Sequence, residues 1–204
     1  IELCHEHRPD VVTMDMILPV MSGLAATEYI MAHCPTPILV VSSSFNRGEL
    51  FKTYDALAAG AVDVLEKPSG EEPDGTWEHN LISQVKMVAR IRVITHPRLR
   101  LANLNRATAE AKIGAAMPER RCSVLAIGAS TGGPAAVVEV LRKLPTRFST
   151  PILLVIHVHE PFGRAFAEWL DGQTGRKVAY PREGDLVSSA HGRVIMAPPG
   201  RHLV

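Results

Sequence analysis

The sequence predicts an α/β protein of two domains, each built on a parallel sheet. Three observations carry this. Short apolar runs end at Asp15, Ser42 and Lys67, 27 and 25 residues apart, the length of a strand plus a crossover helix. A second strand, glycine-rich turn and helix open after Cys122. Between the two, residues 92–121 hold seven basic residues against two acidic ones, are rich in Ala and are broken by Pro97, Gly114 and Pro118, as expected of a linker. The expected domains are 1–92 and 122–204, with 93–121 joining them.

Taken in order, Ile1 to His7 reads as the end of a helix. Val11 to Met14, Ile38 to Val41 and Val62 to Leu65 are the strands of the first sheet. Leu50, Tyr54 and Leu57 share one helical face, and Gly60 stands where that helix should stop. Leu81, Val85, Val88 and Arg92 put a further helix over Trp77 to Arg92. In the second half, Ser123 to Ile127 is a strand, Gly128 to Gly133 a turn, and Pro134 to Leu144 a helix. Its apolar face is Val137, Val138, Leu141 and Leu144. Ile152 to His157 is the next strand. Phe162, Ala165, Phe166, Trp169 and Leu170 then make an amphipathic helix that should end at Asp171-Gly172. Short strands are expected at Lys177 to Tyr180 and Arg193 to Ala197.

Composition excludes several classes. The chain has 204 residues, 46% of them hydrophobic and 21% charged, so it is no disordered chain. Its 22 Lys+Arg balance 21 Asp+Glu to a net charge of +1, which argues against a dedicated nucleic-acid binder. No apolar run approaches the length of a membrane span. Cys4, Cys34 and Cys122 are too scattered for a disulfide framework or a metal cluster and fit a reducing cytosol. The chain starts at Ile1 without Met and stops at Val204 without a closing signal, as expected of an internal fragment of a longer protein.

Chemistry in open parallel sheets gathers at the carboxyl ends of the strands, where Asp15, Ser42 and Lys67 fall. A carboxylate can attack phosphorus to form an acyl phosphate, and a hydroxyl and an ammonium can ligate the new phosphoryl oxygens. Met14-Asp15-Met16, Leu18 to Gly23, Pro37 to Ser42, Gly60-Ala61 and Lys67-Pro68 together resemble the receiver domain of bacterial response regulators, a flavodoxin-like fold. The resemblance implies that Asp15 is phosphorylated by a histidine kinase, that Ser42 is the switch hydroxyl, and that Lys67 senses the phosphate. It also implies a Mg²⁺ cofactor, of whose ligands only Asp15 is in this chain; the family's acidic pair lies after a strand this sequence lacks, leaving a partial site. Val64 stands where the family often has an aromatic switch residue.

Gly128-Ala129-Ser130-Thr131-Gly132-Gly133 has the Gly-x-Ser-x-Gly spacing of a strand-to-helix turn that presents a serine hydroxyl. A phosphate-binding glycine turn is the alternative, though it lacks the lysine and full spacing of that motif. A base must accompany the serine. His157 and His159 end the next strand and share a face, so parity leaves both open.

Ser123 to Gly133, His157, Phe162 to Glu168, Glu183-Gly184-Asp185 and Ala197 to His202 resemble the chemotaxis protein-glutamate methylesterases, the CheB family. The resemblance selects His157, by its distance to Phe162. It makes Ser130 the nucleophile and His157 the general base. Thr131, Gly132 and Gly133 shape the site, and no cofactor is needed for the esterase. The third triad member, an aspartate, is expected beyond Val204, so the fragment alone is expected to be inactive. Implied partners are methyl-accepting chemotaxis receptors as substrate and the chemotaxis kinase as phosphodonor, with neither nucleic acid nor membrane insertion. The implied location is the cytoplasm, at membrane receptor clusters. Two alternatives remain: a catalytically dead binding module, and a receiver fused to another serine hydrolase.

Overall fold

Residues 1–43, 47–70, 72–93, 122–158 and 162–203 are described in a computed structural model of the chain. The expected linker therefore lies, from residue 94 on, outside the described residues, as does His159.

The first sheet has three parallel strands, β1 (Val12–Met14), β2 (Ile38–Ser42) and β3 (Asp63–Glu66), in that order. Its helices are α1 (Glu2–His7), α2 (Gly23–His33), α3 (Arg47–Ala58) and α4 (Thr76–Val88). The second sheet has four strands, β4 (Leu125–Ala129), β5 (Ile152–Ile156), β6 (Val178–Ala179) and β7 (Val194–Met196), ordered β4–β5–β7–β6 and all parallel. Helices α5 (Gly133–Lys143) and α6 (Phe162–Thr174) pack on it.

Ile38, Leu39 and Val40 of β2 are fully buried, the apolar run of a central parallel strand covered on both faces. Leu39, Val62 and Val88 make a small core beneath α4. On the opposite face α2 and α3 cover the sheet. Ser22 caps α2 by accepting the Ala25 amide at 3.2 Å. Gly23 starts that helix so close to β1 that a Cβ would lie 2.0 Å from the Asp15 carbonyl oxygen; any side chain there would displace the residue that bears the candidate carboxylate.

Three elements differ from expectation by two residues or more at an end. The ladder of β4 starts where the Leu125 amide meets the Pro151 carbonyl, and it continues to Ala129 opposite Ile156. Gly128 and Ala129 are small enough to remain in the strand, so the turn begins at Ser130. Helix α6 runs past Asp171-Gly172 to Thr174. Its stop is Gly175, at φ +64°, the left-handed residue that ends many helices. Helix α4 ends at Val88, four residues short of Arg92. Gly60 follows α3 at φ +118°, as the sequence predicts.

The two sheets share one continuous apolar core. Tyr54 of α3 sits edge-on to Phe166 and tilted to Trp169, each with ring centroids 5.4 Å away. Its hydroxyl donates to the Phe162 carbonyl. Tyr54, Phe162, Phe166 and Leu170 are fully buried, each worth roughly 1.5–3 kcal/mol of apolar transfer. Asp55 accepts the Trp169 indole N–H at 2.8 Å and the Gln173 amide at 3.2 Å. The far face of the second sheet differs: Ala126, Gly128 and Val155 are exposed there.

Candidate functional site

The register sets Met14 beside Val40 and Ser42 beside Glu66. Asp15, Ser42 and Lys67 therefore emerge at one carboxyl edge. Lys67 Nζ meets Asp15 Oδ2 at 2.5 Å, and the Ile17 amide donates to Asp15 Oδ1 at 3.1 Å. Burial pushes the Asp15 carboxyl up, but the Lys67 bond and charge and the Ile17 and Met16 amides outweigh it, and its pKa falls below the usual value. Ser42 is 3% exposed; its hydroxyl donates to the Ser43 carbonyl and accepts from Thr53, each at 3.3 Å. The structure thus brings Lys67 onto Asp15, while the Ser42 hydroxyl is engaged by its own strand end and α3.

These residues do not build a Mg²⁺ site. Among the described residues no group of three or more His, Cys, Asp or Glu converges. Asp15 is a single carboxylate with an ammonium already on one oxygen, whereas Mg²⁺ is held through several oxygen ligands.

Ser130 leaves the end of β4 exposed. The chain then folds back through Gly132, at φ +73°, into α5. Gly133 is buried against β4, where a Cβ would stand 2.8 Å from the Ala129 methyl. The amide of Gly133 donates to the Ser130 carbonyl at 2.6 Å, closing the turn. His157 follows β5, and its amide donates to the Ala129 carbonyl at 3.0 Å. The histidine backbone is thus fixed beside the residue preceding the serine. Ser130, Thr131 and His157 line one cavity of about 430 Å³. A serine and a histidine in one cleft can divide nucleophilic attack and proton transfer between them.

The opposite wall of that cavity is the first sheet's β3 and α4, including Asp63, Glu66, Lys67, Trp77 and Gln84. Thr131 Oγ1 donates to Asp63 Oδ2 at 3.3 Å, and the Gly132 amide donates to the Val62 carbonyl at 2.9 Å. The Trp77 indole anchors α4 to β3 through the Glu66 carbonyl at 2.7 Å. Glu72, on the rim, is drawn down to about 2 by the Ser69 and Gly70 amides and the Ser69 hydroxyl. Asp63, Trp77 and Gln84 were missed in the sequence. Asp63 is a polar residue inside an apolar strand, which was the available signal. Asp171 and Asp185, which resemble no catalytic position, hold backbone: Asp171 accepts the Val178 amide and Asp185 the Arg182 amide.

Residues 1–73 match the response regulator receiver domain and residues 125–204 the CheB methylesterase. Along both segments the chain is similar to the CheB family. A protein-glutamate methylesterase/protein-glutamine glutaminase of Anaeromyxobacter dehalogenans is 40% identical over 197 residues, 97% of this chain and 54% of that protein. One from Nitrosospira multiformis is 37% identical over 201 residues, 97% of this chain and 56% of that protein. The crystal structure of the response regulator domain of Thermotoga maritima CheB aligns at 33% identity with a TM-score of 0.37, covering 45% of this chain and 69% of that one. The chain spans about half the length of the curated relatives it matches. The CheB-matched segment carries Ser130 and His157, and the receiver-matched segment carries Asp15, Ser42 and Lys67. No helix of the described residues is long and apolar enough to cross a membrane.

Proposed function

We propose that the chain serves a phosphorylation-controlled protein-glutamate methylesterase that demethylates chemoreceptor glutamates and also deamidates receptor glutamines. One observation carries the reading: Ser130 and His157 line a single cavity at adjoining strand ends. Ser130 Oγ attacks the ester carbonyl as His157 takes its proton, and His157 returns that proton to the departing methoxide. Methanol leaves. Water, deprotonated by His157, then cleaves the acyl-enzyme to the free glutamate and restores Ser130. The reading requires a carboxylate on the far ring nitrogen to orient His157.

Asp15 accepts a phosphoryl group from a histidine kinase, with Lys67 already on its carboxylate to meet the added charge. Before that, the receiver's β3 and α4 wall the serine cavity and limit access. The protein works in the cytoplasm, at receptor clusters. Methanol release from methylated chemoreceptor membranes by the full-length protein tests this, with and without a phosphodonor. Ser130→Ala is expected to abolish release. A folded protein that releases no methanol even with the phosphodonor would make the second half a binding module and refute the esterase reading.

A further inference from the structure

Scattered in sequence, two of the three cysteines meet inside the first half, and neither lines the serine cavity. Cys34 Sγ lies 3.8 Å from Cys4 Sγ, and Cys4 Sγ lies 3.6 Å from the Thr36 hydroxyl. Thr36 spends its hydrogen on the Cys34 carbonyl at 2.8 Å. The Cys4 thiol is therefore the donor to Thr36, and the Cys34 thiol the donor to Cys4. Cys4 is 8% exposed and Cys34 1%. Burial, then the hydrogen bond and charge of Cys4, push the Cys34 thiol above its usual value, so it stays protonated. The two elements are unequally held. Cys34 caps α2, and its amide donates to the Ile30 carbonyl at 2.9 Å. Helix α1 has six residues, of which only Cys4 is buried, and no side chain caps its start. Its C-terminal cap, Arg8, takes the left-handed conformation at φ +48°, which a non-glycine residue adopts at a cost. So short a helix has little stability of its own. It can shift or open locally, exposing Cys4 while Cys34 stays in the core.

We propose that Cys4 and Cys34 form a peroxide-oxidisable dithiol site, with Cys4 the attacking thiol and Cys34 the resolving one. The Cys4 sulfur attacks one oxygen of hydrogen peroxide. An S–O bond forms, the O–O bond breaks, and the other oxygen leaves as water with the Cys4 proton. The Cys34 sulfur then attacks the Cys4 sulfenic acid. The S–S bond forms, the S–O bond breaks, and the hydroxide takes the Cys34 proton and leaves as water. Two thiols lose two electrons, and one peroxide becomes two waters. The surroundings suit this product. Both S–H donors disappear in it, and the Thr36 hydroxyl keeps the Cys34 carbonyl, so none of the three residues is left with an unpaired donor. The new bond ties α1 to the end of α2, and a dithiol reductant releases it by exchange. The site stands independently of the esterase reading.

Mass spectrometry after alkylation reads the site directly. In the 204-residue chain carrying Cys122→Ser, which removes the exposed third thiol, hydrogen peroxide should consume both remaining thiols together. The protein should lose the mass of two hydrogens, and a peptide joining Cys4 to Cys34 should appear and vanish again with dithiothreitol. Cys34→Ser should let Cys4 run on to the sulfinic acid, and Cys4→Ser should leave Cys34 reduced. Two thiols that survive peroxide in the native protein, and pair only in urea, would overturn the site. Oxygen added to Cys4 beside a free Cys34 would overturn the pairing. Cys34 oxidised in Cys4→Ser as fast as in the pair would overturn the order of attack. The first experiment replaces neither partner, so a variant that fails to fold leaves the site itself decided.

Discussion

Asp55→Ala tests whether the receiver and methylesterase segments share one core. Asp55 Oδ1 accepts two donors from α6, the Trp169 indole at 2.8 Å and the Gln173 amide at 3.2 Å. Hydrogen bonds to a charged acceptor contribute about 1.5–3 kcal/mol each when buried. Asp55 and Gln173 are partly exposed, so water recovers much of the second bond, and the expected loss is about 2 kcal/mol. Most of it should be carried by Trp169, since its N–H is left unpaired among Tyr54 and Phe166. Trp169→Phe keeps an aromatic ring while removing the donor. A double-mutant cycle between the two substitutions should give a coupling of about 1 kcal/mol, within the range for residues in direct contact. Urea unfolding followed by circular dichroism and by tryptophan fluorescence provides the four free energies, and the two probes should report a single transition. Additivity within about 0.3 kcal/mol would refute the contact. Two separate transitions, with only one shifted by Asp55→Ala, would refute the shared core.

The remaining expectations concern the two sites and one helix end. Lys67→Met should raise the Asp15 pKa, because burial then acts without the ammonium that offsets it; carboxyl NMR titration reads this directly. The sign for stability follows: with the folded pKa depressed, Asp15 stabilises the fold above its unfolded value and loses that contribution as pH falls through the folded one. Wild type should therefore lose more stability than Lys67→Met on acidification through this window. Gly133→Ala sets a methyl 2.8 Å from Ala129 and 3.3 Å from Ile156 Cδ1 and should cost about 1–3 kcal/mol by overpacking, seen as a lower midpoint in thermal unfolding. Gly175→Ala, at φ +64°, should cost about 1 kcal/mol in the same measurement.

Positions set by local rules were legible in the sequence. A strand of branched residues ending in a polar one fixes where that residue emerges, and this placed Asp15, Ser42 and Lys67 at one edge. The same rule placed Ser130 and the His157 backbone at neighbouring strand ends. Register then followed, because a crossover helix permits only a parallel neighbour. Helix ends were less legible. Gly172 resembles a stop, yet Thr174 bonds back to the Leu170 carbonyl at 2.8 Å and Asp171 reaches forward to the Val178 amide. These contacts carry the helix to Gly175.

An amphipathic face states that a residue is buried, never against what. Tyr54 read as core for the first sheet and Trp169 as core for the second; both are buried, but each is half of a contact between the halves. Two stripes separated by more than a hundred residues carry no mark of their pairing. Asp63 carries a fainter one. A carboxylate set among Val62, Val64 and Leu65 has to be reached by a donor or by water. β3 is an edge strand, so that donor can come from outside the sheet. Asp63 Oδ1 takes the adjacent Val64 amide at 2.9 Å, and Oδ2 takes Thr131, one residue after the candidate nucleophile. The polar residue that breaks the apolar pattern of β3 is thus the residue through which the receiver touches the serine turn, and it is where sequence inspection of a related chain should begin.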